Sequence, residues 1–136
     1  MVTKDLMNQF INTQFPQSKI TVEHVDGESA TIRHKITEAE LRPGGTVAGP
    51  VMFLVADCAL YVGILGRIGI VPLAVTTNMN INFLRKPSAD RDIIGVCKLI
   101  KVGKTLAIGE VSVYSEGLPD PVAHAVGTYA IPPKKD

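Results

Sequence analysis

Between Arg42 and Arg67 the chain reads RPGGTVAGPVMFLVADCALYVGILGR, and Asp57 is the only formally charged side chain inside that stretch. Gly44, Gly45 and Gly49 loosen the backbone ahead of Pro50. Proline suits the first position of a helix, where its missing N–H leaves no bond unmade. Gly66 and Gly69 supply the stop expected past a helix C-terminus. One helix is therefore predicted from Pro50 to about Leu65. Val51, Leu54, Val55, Cys58, Val62 and Leu65 form a stripe at helical spacing, but Met52, Phe53, Ala56, Ala59 and Gly63 fill the other faces. A helix apolar all round is buried on all sides, in protein or in lipid. The run from Val47 to Gly66 approaches the ~20 residues that a bilayer span needs. Against lipid stand the interruption at Gly49-Pro50, the strand-like sequence on both sides, and Asp57 at the would-be membrane centre. A carboxylate there costs roughly 2.5–3.5 kcal/mol. Burial in protein is the reading.

The rest of the chain reads mostly as strand. Thr3-Lys4-Asp5 opens a short amphipathic helix carrying Leu6, Met7, Phe10 and Ile11, which ends before Phe15-Pro16. Ile20 to Val25 and Ser29 to Ile36 form a hairpin through the two-residue turn Asp26-Gly27. Leu73 to Leu84 alternates: Val75, Thr77, Met79, Ile81 and Phe83 on one face, Thr76, Asn78, Asn80, Asn82 and Leu84 on the other. Asp92 to Val102 and Thr105 to Ser115 are joined through Gly103-Lys104, and Pro121 to Ile131 is a last strand. Gly95, Gly109 and Gly127 fall inside strands, where glycine permits bending or close backbone approach. The polar tail from Pro132 to Asp136 is expected to fray. Antiparallel strands segregated from one long helix give an α+β domain in which a bent antiparallel sheet wraps the helix. Another subunit is expected to cover what the sheet leaves bare.

Composition narrows the function. At 136 residues the chain is read as one domain, 1–136, able to bury roughly two-thirds of its unfolded surface. A formal net charge of +1 sets up no field suited to nucleic acid or an anionic membrane. Neither partner is expected. Cys58 and Cys97 make no C-x-x-C pair and read as reduced thiols in a cytoplasmic protein. His24, His34 and His124 have no paired spacing, so neither a metal nor another cofactor is expected.

The chemistry centres on Asp57. A lone carboxylate in an apolar helix is costly unless something compensates it. It is either a general base or nucleophile in a dry cleft, or an aspartate hydrogen-bonded to backbone across a dimer seam or simply facing a solvated edge. Its removal is expected to leave the fold intact or even stabilised. Tyr61, one turn on, can donate to it or simply be core. The glycines before Pro50 either let free helix N–H groups meet a substrate oxygen or merely connect strand to helix. They are not a phosphate-binding fingerprint, since the Walker lysine and the βαβ context are missing.

The loop and helix R-P-G-G-T-V-A-G-P-V-M-F-L-V-A-D and the strand A-V-T-T-N-M-N-I-N-F-L-R-K-P resemble the hotdog-fold acyl-CoA thioesterases of the PaaI-like group, across roughly Ile20 to Ile131. The resemblance implies a hotdog fold, with two subunits joining sheets into a homodimer that often pairs again into a tetramer. The family pattern has His-Gly-Gly at the helix start and an Asp nine positions after the His. Nine back from Asp57 is Ala48, followed by Gly49-Pro50. Asp57 thus takes the place of the catalytic carboxylate, Gly49 that of the glycine whose N–H polarises the thioester carbonyl, and Thr76 that of a Ser/Thr that helps hold the nucleophilic water. Substrate contact is expected from Arg42, Ala48, Pro50, Tyr61 and Thr77. Arg85 and Lys86, adjacent cations before Pro87, are expected on the CoA phosphates.

Two positions depart from the pattern. The family's His is Ala48, and the Asn six residues before it is Arg42. The resemblance implies hydrolysis of an acyl-CoA or related acyl thioester; a non-catalytic acyl-CoA-binding hotdog protein is the alternative. Phe53, Leu54, Tyr61 and Met79 are expected to set the depth of the acyl pocket.

Overall fold

The computed structural model describes residues 2–133, so the end of the tail, 134–136, lies outside the described residues. Helix α1 (Lys4–Gln14) starts at Thr3, whose Oγ1 accepts from the Leu6 N–H at 3.1 Å. Met7 and Ile11, one turn apart, turn its buried face inward. Strands β1 (Ile20–Val25) and β2 (Ser29–His34) pair antiparallel. Their turn spans Asp26-Gly27-Glu28, not the two residues expected. Asp26 Oδ1 accepts from the N–H groups of both Glu28 (2.9 Å) and Ser29 (2.8 Å), which draws Glu28 into the turn. Gly27 supplies the positive φ of 87° there.

The glycine loop is more ordered than the sequence indicated. A 3-10 turn (Glu38–Glu40) leads into a small hairpin of β3 (Leu41–Arg42) and β4 (Thr46–Val47). Gly44 and Gly45 turn it, at φ 97° and 75°. Helix α2 (Gly49–Ile68) runs a turn past the expected end. Gly66 is not a stop: a Cβ at Gly66 would stand 2.4 Å from Val25 Cγ2, so glycine lets the helix lie against β1. Gly69 is the stop, at φ 95°, its N–H returning to the Leu65 carbonyl at 2.9 Å.

Strands β5 (Val75–Phe83), β6 (Ile93–Val102), β7 (Leu106–Ser115) and β8 (Ala123–Ala130) complete a six-stranded antiparallel sheet of order β1-β2-β6-β7-β8-β5. The consecutive strands β6, β7 and β8 hold the middle. Helix α2 crosses the inner face, so β5 emerges at the edge opposite β1. The fold is α+β, a long helix packed against a bent antiparallel sheet, as expected. Three bulges, at Val22/His24, Thr76/Asn78 and Leu99/Lys101, add the local twist that lets a sheet curl. Gly95, Gly109 and Gly127 form a trough under the helix. A Cβ at these positions would stand 2.8 Å from Val55 Cγ1, 2.6 Å from Leu60 Cδ1 and 2.7 Å from Leu60 Cδ2 respectively. Fully burying a side chain such as Leu60 is worth about 1.5–3 kcal/mol, and these glycines are what admit it.

The sheet does not cover all of α2. Val55, Ala56, Ala59, Leu60 and Val62 are buried. The face carrying Val51, Leu54, Asp57, Cys58 and Tyr61 remains part-open and lines a cavity.

Candidate active site

Asp57 sits mid-way along α2 on that open face, half-buried. Its Oδ1 accepts two hydrogen bonds, from Thr76 Oγ1 at 2.6 Å and from the Tyr129 hydroxyl at 2.7 Å. The same tyrosine oxygen lies 3.2 Å from the Asp57 carbonyl. Among the described residues none donates to Oδ2. One oxygen of the carboxylate is thus anchored and the other is left without a donor. Both anchors come from the sheet: Thr76 on β5 and Tyr129 on β8 are directly paired in register.

That pairing depends on a bulge. Strict alternation puts Thr76 on the face opposite Met79 and Ile81, but Thr77 is an extra residue between the pairs Thr76–Tyr129 and Asn78–Thr128. The face switches at Thr77, and Thr76 joins Met79 and Ile81 toward the helix. Bulges beside functional sites re-aim side chains in this way. The strand reading from alternation is corrected accordingly.

Burial and electrostatics keep the anchors in their donor forms. Burial raises the Tyr129 phenol far above its ordinary value, and the Asp57 charge adds to that rise, so the hydroxyl stays protonated. Burial, followed by the Asp57 charge, pushes the Cys58 thiol up to about 12, which removes it as a nucleophile. The cavity in front of Asp57 has a volume of about 960 Å³. Phe15 and Pro16, just past α1, close one side of it. Tyr61 stacks against Phe10 at 6.4 Å between ring centroids and meets Tyr129 at 5.9 Å.

A profile for the thioesterase superfamily matches residues 44–121, more than half of the chain. The chain belongs to the thioesterase superfamily. Comparison with curated proteins finds no match. Among solved structures, the chain is similar to a candidate thioesterase from Silicibacter sp., with 41% identity, 98% of this chain and 94% of that one covered, and a TM-score of 0.90. It also resembles in fold zebrafish thioesterase superfamily member 2 (21% identity, 97% and 100% covered, TM-score 0.86). A further fold relative is a variant of the phenylacetic acid degradation protein PaaI from Thermus thermophilus (21% identity, 91% and 99% covered, TM-score 0.75). The fold is the hotdog fold, PaaI-like, as the loop and helix motif implied.

Within this thioesterase-superfamily fold the expected site residues form two groups, with Thr77, Arg85 and Lys86 outside both. Asp57, Thr76 and Tyr61 line one cavity. Tyr61, however, donates to the Pro72 carbonyl at 3.2 Å rather than to Asp57. Gly49, Ala48, Pro50 and Arg42 gather at the N-terminal end of the helix. There the Ala48 N–H donates to the Glu40 carbonyl at 3.0 Å, while Arg42 and Pro50 are exposed. Thr77 donates to the Thr128 carbonyl at 3.3 Å. Arg85 is exposed and donates to the Pro121 carbonyl, and Lys86 beside it is exposed. Of the residues expected to shape the acyl pocket, Leu54 and Tyr61 line the cavity and Phe53 and Met79 do not.

Tyr129 is the residue that sequence reasoning missed. The inner positions of β8 are Ala123, Ala125, Gly127 and Tyr129. A single large side chain ending a row of small ones is the signal that pointed to it. The share of the cavity wall supplied by α1 and its C-terminal loop was missed as well.

Proposed function

We propose that the protein hydrolyses an acyl thioester, with an acyl-CoA as substrate and Asp57 as the catalytic carboxylate. The observation that carries this is the half-anchored carboxylate: Thr76 and Tyr129 fix Oδ1 at 2.6 and 2.7 Å, Oδ2 takes no donor among the described residues, and Asp57 lines a cavity large enough for an acyl group. A water held at Oδ2 gives up a proton as its oxygen attacks the thioester carbon. The tetrahedral intermediate then expels the thiolate, which takes the proton back, leaving free acid and thiol. The Thr76 hydroxyl, its proton committed to Asp57, keeps lone pairs that can accept from that water. The cavity holds the acyl group beside Tyr61 and Leu54.

The oxyanion donor assigned by family likeness is the Gly49 N–H at the start of α2, which has no hydrogen-bond partner among the described residues. Gly49 and Asp57 are eight residues apart on one helix, about 12 Å along its axis. No single carbonyl reaches both. A second copy that brings its own Gly49 to this Asp57 completes the site, and the surface suits one. Among the described residues edge strand β5 has no partner on its outer side, and Leu54, Val75, Phe83 and Leu84 are exposed. The working unit is a homodimer, assembled into a tetramer as in the family, and cytoplasmic. Ala48, Pro50 and Thr77 lie beside the shared seam, and Arg42, Arg85 and Lys86 are the cations available to CoA phosphates. Sedimentation showing a stable folded monomer at micromolar concentration would overturn the shared site.

One observation favours a second reading, a non-catalytic acyl-CoA-binding hotdog protein. Ala48 stands where the family has His, and it gives α2 no side-chain cap. Turnover of a thioester panel, followed by release of free thiol, decides between them. Ligand-induced thermal stabilisation with no thiol release would select the binding protein.

A further inference from the structure

Among the described residues the Gly49 N–H is the free one at the start of α2. Pro50 has no N–H, and those of Val51 and Met52 return to the Ala48 carbonyl at 3.0 and 3.4 Å. The Gly49 N–H shares one planar trans peptide with that carbonyl and so points the opposite way from it. The plane can still swing about the Ala48 backbone bonds. Ala48 has no polar side chain to hold it, but its N–H donates to the Glu40 carbonyl at 3.0 Å. The aim of the Gly49 N–H therefore depends on where Glu40 stands.

Glu40 is itself held by its side chain. It is buried, and its Oε2 accepts from the N–H and hydroxyl of Thr37 at 2.9 and 2.6 Å. Its Oε1 accepts from Lys19 Nζ, which also donates to Thr37 Oγ1 at 3.0 Å. Lys19 directly precedes β1, so these bonds tie the 3-10 turn and the β3–β4 hairpin after it to the sheet. The hairpin turns on Gly44 and Gly45, which add little stiffness of their own. The cavity runs as a groove along α2 from Asp57 past Leu54 and Val51 to Glu40 and His34. Within it Glu40 has both oxygens engaged and is not placed to act as a base. A buried ion pair adds little stability over an apolar replacement; what this one supplies is a fixed geometry.

We propose that Glu40 is a positioning residue for the oxyanion donor: latched by Lys19 and Thr37, it holds Ala48 so that the Gly49 N–H stays aimed at the thioester carbonyl oxygen. The proposal rests on the thioesterase reading, in which that N–H serves the Asp57 of a second copy. A donor fixed before the reaction costs no reorganisation when charge develops on the oxygen. Losing the latch leaves the donor present but loosely aimed.

The test measures octanoyl-CoA hydrolysis by the full-length protein. Removing an oxyanion donor outright costs about 10²–10³ in kcat, so Glu40→Ala should lower kcat by about tenfold to a hundredfold. KM should stay within about twofold, the pattern of an interaction made in the transition state. Glu40→Gln, which keeps an oxygen for the Thr37 donors, should recover part of the loss. Two ligands that cannot be hydrolysed separate aim from general damage: the ketone in which CH2 replaces the sulfur of octanoyl-CoA, isotope-labelled at its carbonyl, and S-octyl-CoA, which has no carbonyl. The infrared carbonyl stretch of the bound ketone should rise in Glu40→Ala as the hydrogen bond weakens, while S-octyl-CoA binds both proteins alike. If Glu40→Ala does not fold, Lys19→Met, which frees one side of the latch, should show the same changes at smaller size. Parental kcat, an unmoved stretch, or equal weakening of ketone and thioether overturns the proposal. If wild type hydrolyses nothing but the stretch still rises in the variant, the positioning role stands and the thioesterase reading falls. Hydrolysis at the parental rate by Glu40→Ala does the reverse, and a wild type that neither hydrolyses the thioester nor lowers the stretch of the ketone overturns both.

Discussion

Half-buried Asp57 and buried His34 line one cavity along α2 in opposite situations. Asp57 has one oxygen fixed by two donors from the sheet, at 2.6 and 2.7 Å. His34 is more deeply buried and has none. A carboxylate that must present one oxygen to a reaction gains from having the other immobilised, since catalysis rewards groups already in position. The imidazole, with both ring nitrogens closed off by burial, is held below its ordinary pKa and stays neutral. The anchored group sits where side-chain hydroxyls of two adjacent strands supply donors, and the unanchored one sits beside a Glu40 carboxylate already paired with Lys19.

The largest effect that would break this contrast is at Asp57. Asp57→Ala should lower kcat by about 10³-fold, in the range expected for loss of a positioned acid–base group. Thiol release at saturating substrate measures it, and parental turnover would exclude Asp57 from the chemistry. The sequence suggested that removing this carboxylate leaves the fold intact or stabilises it, but the structure changes that expectation. Alanine leaves Thr76 and Tyr129 without their acceptor, so stability should fall by about 1–3 kcal/mol. Asp57→Asn, which keeps a carbonyl oxygen for both donors, should fall less while remaining equally inactive.

Next come the anchors. Tyr129→Phe and Thr76→Val should each lower kcat about tenfold with little change in KM, the pattern of an interaction that matters most in the transition state. Because both donate to the same oxygen, the double variant should lose less than the product of the single losses. Strict multiplicativity would mean that the two hydroxyls act independently.

At the His34 end the accessible handle is pH. Burial opposes ionisation of Glu40, yet the bonds from Lys19 and Thr37 prevail and hold its carboxyl at about 2, against an ordinary value of 4.5. A carboxylate whose folded pKa is depressed contributes stability above its unfolded pKa and loses it as pH falls toward the folded one. Glu40→Gln should therefore flatten the decline in melting temperature between about pH 4.5 and 2. His34, held below its ordinary value of 6.5, should still cost the fold stability as pH drops below that value, because the buried ring resists protonation. A Glu40→Gln curve parallel to wild type through the lower window would show that Glu40 is not held by these partners.

The smallest effect is expected outside the groove. Replacing Arg85 and Lys86 together with alanine should raise KM for an acyl-CoA severalfold, with kcat less affected. A truncated thioester lacking the nucleotide should be untouched. Equal damage to both substrates would place these cations in folding rather than binding, a real contrast to test because Arg85 already holds the Pro121 carbonyl.

Much of the fold was legible from local signals. The apolar run with proline at its start gave α2, the run of β-rich segments gave the meander, and glycines inside strands marked where the helix would press closest. The errors arose where the deciding interaction is not local. Gly66 read as a stop because glycine ends helices, but its role is to admit Val25 from β1. Thr76 fell on the wrong face because alternation cannot register the extra residue at Thr77. Tyr61, one turn away along the chain, was read as a donor to Asp57 or as core, and Tyr129, which does donate, went unread because it is 72 residues off.

The sequence by itself determined that one carboxylate lies in an apolar helix behind a glycine loop, and that this helix must be wrapped by strands. Periodicity, proline and glycine act over a few residues, so the order of residues suffices to place them. Only the tertiary structure decided which donors meet that carboxylate, which of its oxygens stays free, and that His34 is buried unpaired in the same groove. Those facts depend on strand register and sheet curvature, which come from packing across the whole sheet and which no short stretch of sequence encodes.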